Sequence, residues 1–193
     1  MILLILGLVV FLGIHSIRIV ADDWRSARIA RLGERRWKSL YALVSLIGFV
    51  LIVVGYGQAR HDSVLLWVPP VWSRHVAALL VLIAFILIVA AYVPGTKIKA
   101  RVGHPMLLGV KTWAVAHLLA NGTLAAVVLF GSFLVWAVVD YVICRRRDRR
   151  DGVTYPAVGW SRDAIAIVVG IVAWAAFAFY LHGVLIGVKP FGA

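Results

Sequence analysis

Acidic side chains and cysteine are both scarce in this chain, and each scarcity removes a class of protein. Eight Asp and Glu stand against 20 Lys and Arg in 193 residues, a formal charge of +12. The single cysteine, Cys144, cannot form an internal disulfide. No CxxC or Cys/His spacing offers a zinc site. Polar stretches are missing as well: 63% of the residues are hydrophobic, where a soluble domain holds about 45–50%. No soluble domain, long linker, low-complexity tract or repeating unit can be delimited.

What fills the chain is a series of long apolar runs. A bilayer core about 30 Å thick needs roughly 20 apolar residues in helix to cross it. Six segments are candidates: Ile2–Val20, Leu40–Tyr56, His75–Tyr92, Pro105–Leu119, Leu124–Ile143 and Ala164–Leu185. The expected fold is all-α, a polytopic transmembrane helix bundle of about six spans, in one domain over residues 1–193. The fourth segment is short and carries Lys111, so it admits a tilted or partly re-entrant path. No basic stretch precedes the first run and no small-residue cleavage site follows it. Met1–Val20 therefore reads as a retained helix rather than a signal peptide.

The basic residues alternate from loop to loop. The first loop holds Arg25, Arg28, Arg31, Arg35, Arg36 and Lys38, and the third holds Lys97, Lys99 and Arg101. The fifth holds Arg145, Arg146, Arg147, Arg149, Arg150 and Arg162. Only Arg60, Arg74 and Lys189 fall on the other side. Lys and Arg collect in cytoplasmic loops, so the odd loops are expected inside and the first residue outside. The positive charge is thus accounted for by topology; membrane lipid, and not nucleic acid, is the expected partner. The first loop reads either as solvated or as a short amphipathic helix, roughly Asp23–Leu32. In the second case Trp24, Ala27, Ile29 and Leu32 would lie on lipid.

Ionisable side chains inside a bilayer are costly and mark sites. The candidates are His15, His104, Lys111, His117, Asp140 and His182; His61 and His75 are expected to be solvated. His15 suits iron as an imidazole ligand, with a hydrogen-bonded core histidine as the alternative, and the small residues at 114, 116 and 120 beside His117 admit a large planar ligand or another helix. Asn121, one turn beyond His117, could orient its ring. His104 precedes Pro105, which suits the first turn of a helix, so His104 is expected at the N-cap. Lys111 lies two turns further on nearly the same face and is expected to pair with a buried carboxylate, Asp140 being a weak candidate. Arg101, His104 and Lys111 together would make an anion site at the start of the fourth segment. Depth alone groups His15 with His104, and His117 with His182.

Three stretches resemble the NnrU family of bacterial membrane proteins. They are His15-Ser16 with the Arg-rich loop through Leu32-Gly-Glu-Arg-Arg-Trp and Leu40-Tyr-Ala-Leu-Val-Ser-Leu, His104-Pro-Met-Leu-Leu-Gly, and Trp113-Ala-Val-Ala-His-Leu-Leu-Ala-Asn-Gly. The family's relatives include 15-cis-zeta-carotene isomerase, a membrane enzyme that holds haem b. Carried over residue by residue, the resemblance implies His15 and His117 as haem-iron ligands and places the relative's Arg-His-Pro histidine on His104. It implies Arg101 and Lys111 beside the haem propionates, an inner-membrane location, and either isomerisation of an apolar polyene or a role in nitrogen-oxide respiration. Two positions depart: the relative's cysteine before the second ligand is Ala114 here, and its arginine before His-Pro is Gly103. The His-Pro-x-x-x-Gly stretch also resembles isoprenylcysteine-type methyltransferases, although only Asp140, Asp148 and Asp151 could supply their acidic cap. A non-catalytic membrane assembly factor is the third reading.

Overall fold

Apolar runs of this length have few options in a bilayer, where every backbone N–H and C=O must find its partner inside the segment. The computed structural model describes residues 1–191. Its elements are α1 (Ile2–Val20), α2 (Asp22–Leu32), α3 (Glu34–Ala59), α4 (Trp72–Tyr92), α5 (Lys97–Val102), α6 (Pro105–Ala120) and α7 (Leu124–Asp151). α8 (Trp160–Ala176) runs through a π-helical turn, Phe177–Leu181, into α9 (His182–Ile186). Five helices are long and apolar enough to cross a membrane: α1, α3, α4, α7 and the continuous Trp160–Ile186 segment. The sixth apolar helix, α6, has 16 residues, about 24 Å of rise, which is short for a perpendicular crossing. The chain is a polytopic helical bundle, as the hydropathy pattern predicts.

Several ends lie outside the apolar runs. α3 starts six residues before Leu40, and α7 continues through the arginine-rich stretch to Asp151. Hydropathy marks where lipid begins and ends; Arg and Lys are good helix formers and carry the helices beyond it. The first loop is helical, and α2 has no buried residue. Trp24 and Ala27 are exposed as the amphipathic reading requires, but Ile29 and Leu32 are half-buried.

The chain divides into two compact units, with α7 contributing its first nine residues to one and the remainder to the other. Met1–Leu66 with Thr123–Ser132 forms the first. Here α1 and α3 run antiparallel at close range, because glycines face backbone. A Cβ on Gly7 would lie 2.6 Å from Ile52 N, and one on Gly48 would lie 2.7 Å from Phe11 N. One on Gly55 would strike the backbone of Leu3 and Leu4. Small residues at such crossings let dispersion and backbone contacts replace the hydrophobic effect, which lipid does not supply. Ser63 Oγ accepts from the Ala125 N–H at 2.8 Å and starts α7.

Trp67–Gly122 with the chain from Phe133 onward forms the second unit. α4 is its centre. Gly109 of α6 meets Ala84 and Ile88, and Gly170 of α8 meets Ile86. Phe85 and Phe177 pack with ring centroids 5.8 Å apart. The short α5 is fastened at its start by two side chains. Thr96 Oγ1 accepts from the Lys99 N–H at 3.1 Å. The buried Asp163, from the first turn of α8, accepts from Lys97 N–H at 3.1 Å and Ile98 N–H at 3.0 Å. A carboxylate at a helix start complements both the open N–H groups and the dipole.

Candidate functional site

The positions that carry chemistry fall into two kinds: histidines tied to their own helix, and a polar cluster at the start of α6. The cluster begins at Gly103, whose φ of +76 ends α5 and suits a residue without a side chain. His104 then takes the N-cap of α6 and Pro105 the first turn, as the sequence predicts. The imidazole does not cap the helix, however. It reaches across to α7, where His104 Nε2–H donates to Asp148 Oδ2 at 2.9 Å. Asp148 is buried. Its other oxygen accepts from the Tyr155 hydroxyl at 3.2 Å, and Arg145 NH1 lies 3.5 Å from Oδ2. Burial and the Asp148 carboxylate push the Tyr155 hydroxyl above its ordinary range, which keeps it a protonated donor. Two aromatic edges enclose the imidazole, Tyr155 at 5.8 Å and Tyr141 at 6.4 Å between centroids. Tyr141 in turn donates to the Val102 carbonyl at 3.0 Å.

Of the three residues expected to make an anion site here, two meet the same ring. Lys111 Nζ lies 5.2 Å from the Tyr141 centroid, on which His104 also packs. Among the described residues no carboxylate pairs with Lys111, and Asp140 accepts from the Cys144 thiol at 3.4 Å instead. A cation over an aromatic face is offset by the ring quadrupole, so Lys111 has a partner without an ion pair. Arg101 is exposed on the last turn of α5. The guanidinium that comes to the His-Pro turn belongs to Arg145, whose NH1 lies 2.5 Å from where a Gly103 Cβ would stand. The sequence offered Asp148 only as part of a methyltransferase-type acidic cap, and it did not single out Tyr155. The one available signal was an acid placed inside an arginine run; Tyr155, in an irregular loop, offered none.

His15 and His117 share a different arrangement. His15 Nδ1 lies 2.7 Å from the Phe11 carbonyl, and His117 Nδ1 lies 3.0 Å from the Trp113 carbonyl, each four residues back. A carbonyl only accepts, so Nδ1 carries a proton in both rings, and in the neutral form the lone pair is on Nε2. Each ring is flanked by the aromatic residue that tethers it: Phe11 stacks on His15 at 4.2 Å, and Trp113 lies 5.2 Å from His117. Ala114 and Ala116 are fully buried beside His117. Asn121 does not orient that ring; its amide donates to the His117 carbonyl at 2.8 Å and so closes the end of α6. His182 Nδ1 is 2.6 Å from the Val188 carbonyl.

The sequence pattern of the family described as NnrU protein matches residues 3–190. This chain belongs to the NnrU family. No curated protein and no solved structure matches it. Within this NnrU chain the match embraces both histidine types, so the haem that the resemblance implies can be tested against the residues present. They fit in their chemistry. A ligating histidine donates its second ring nitrogen to a carbonyl or carboxylate, which fixes the tautomer and raises the basicity of the ligating one. His15 and His117 have that tether, and Nε2 is the nitrogen that would be left to ligate. His104 is tethered as well, through Nε2–H to the Asp148 carboxylate, with Nδ1 as its second nitrogen; what sets His15 and His117 apart is the family resemblance.

Proposed function

We propose that this NnrU protein binds haem b in the membrane, and that His15 and His117 are each residues that would hold its iron through an imidazole nitrogen. What supports the reading is the family match, which spans both positions, together with the tether the two share. Two intramembrane histidines on different helices each hold the Nδ1–H tautomer by a bond to the carbonyl one turn back. A six-coordinate haem supplies one-electron redox chemistry when bound. The chain supplies orientation through the two carbonyl tethers, a dry setting through its apolar neighbours, and positive charge through Lys111 near the start of α6. Such a centre suits electron transfer connected with nitrogen-oxide respiration, or isomerisation of an apolar polyene taken from the lipid phase. We place the chain in a bacterial inner membrane with the arginine-rich loops in the cytoplasm, on the strength of the loop asymmetry.

The test is the haem content of the full chain purified from membranes in mild detergent. The reading expects about one b-type haem per chain, extractable by acid solvent. Chain purified from haem-replete cells without a Soret band would overturn it.

A further inference from the structure

A cluster of exposed positive charge lies at the junction of α2 and α3. Arg31, Arg35 and Arg36 are exposed there. The neighbouring acids are engaged elsewhere: Asp22 pairs with Arg18 and Arg25, and Glu34 with Lys38 at 2.7 Å. Arg28 lays its guanidinium 5.2 Å from the centroid of Trp24, and Trp24 sets its edge against Trp37 at 6.0 Å. The two indoles fasten α2 to the first turns of α3 at the level where aromatic residues mark a membrane interface.

The apolar surface below this charge is continuous with it. Arg36, Leu40, Leu43, Ile47, Val50 and Val54 recur at spacings of three and four and therefore share one face of α3. The five apolar members are 51, 54, 49, 49 and 45% exposed in that order. From Leu40 to Val54 the stripe rises about 21 Å, more than the roughly 15 Å depth of one leaflet. We propose that this surface binds an anionic phospholipid, with its phosphate on Arg31, Arg35 and Arg36 and its acyl chains along the Leu40–Val54 stripe. A free phosphate would use the arginines alone, and the stripe would then face only bulk lipid. An acidic protein surface would do the same. One amphiphile matches both halves.

The experiment uses the full chain in an uncharged detergent and counts retained lipid by native mass spectrometry. Phosphatidylglycerol, phosphatidylcholine and inorganic phosphate are the probes. Phosphatidylglycerol is expected to half-saturate at a concentration at least tenfold below phosphatidylcholine, and millimolar phosphate is expected not to displace it. Each basic residue near an anionic surface contributes a factor of about five. R31A/R35A/R36A is therefore expected to weaken phosphatidylglycerol binding at least tenfold. R146A/R149A/R162A, which removes equal charge elsewhere, is expected to change it less than threefold. Three results would overturn the proposal. Equal binding of the two lipids means that the apolar stripe holds lipid without reading its charge. Equal losses in the two triple variants mean diffuse charge only. Displacement by phosphate means that the headgroup anion alone is recognised. If the first triple variant elutes as aggregate, Arg36→Gln replaces it, with a loss of threefold or more expected and no loss overturning the proposal.

Discussion

Asp148 shows how one side chain can join three parts of a chain. It receives His104 from the start of α6, Tyr155 from the following loop and Arg145 from its own helix. A carboxylate with so little water must be matched by donors, so removing it leaves three donors without their acceptor. Asp148→Ala is expected to cost about 3 kcal/mol. For a chain of this size each kcal/mol lowers the thermal midpoint by about 2–4 °C, a shift readable by melting in detergent. Tyr155→Phe deletes one charge-assisted hydrogen bond and should cost about 1–2 kcal/mol. The double variant Asp148→Ala/Tyr155→Phe should then cost clearly less than the sum, because the pair shares one bond; full additivity would show that the 3.2 Å contact carries nothing. The sequence placed His104 at the N-cap correctly, since Gly103 and Pro105 define that turn locally. It could not supply the partner, because Asp148 lies 44 positions away and no local rule connects the two.

At the scale of the element, two kinds of helix boundary behave differently. Where a boundary is written in local chemistry, the sequence shows it: α6 starts at Pro105 and stops at Ala120, before Asn121-Gly122, as expected. Where a boundary was taken from hydropathy, the helices overrun it, at Glu34 for α3 and Asp151 for α7. The π-helical turn at Phe177–Leu181 follows from packing of the whole helix and has no local signature. α5 is the element most dependent on a distant residue. Six residues are too few to hold a helix alone, and Asp163 supplies acceptors for two of its open N–H groups. Asp163→Ala is expected to cost about 1–2 kcal/mol, in the range of a lost N-cap, and to raise hydrogen exchange at Lys97 and Ile98 while leaving α1 and α3 unchanged. Gly55→Leu should act on the other unit alone, separating α1 from α3, because any side chain there meets the backbone of Leu3 and Leu4. A large residue forced into such contact costs about 1–3 kcal/mol or more.

At the scale of the molecule, fold class and family were legible because they depend on composition and on short motifs. Five long apolar helices and a sixth shorter one are present, and the family match runs through nearly all of the chain. The orientation proposed from the arginine distribution makes a prediction: a reporter enzyme fused to the C-terminus should be active only outside the cytoplasm, and activity inside would require an odd number of crossings. The roles of His15 and His117 were less legible, since an isolated histidine in a helix reads equally as a ligand or as a satisfied core residue. The carbonyl tethers at 2.7 and 3.0 Å place a proton on Nδ1 of each and, with the family match, support the case for ligation. The most direct test is the electron paramagnetic resonance spectrum of the oxidised full chain beside its His15→Ala and His117→Ala variants. The account predicts a low-spin ferric haem with two imidazole ligands in the parent chain, converted to high spin or lost in each variant. An unchanged low-spin signal in both variants, with its loss in His104→Ala or His182→Ala, would contradict it.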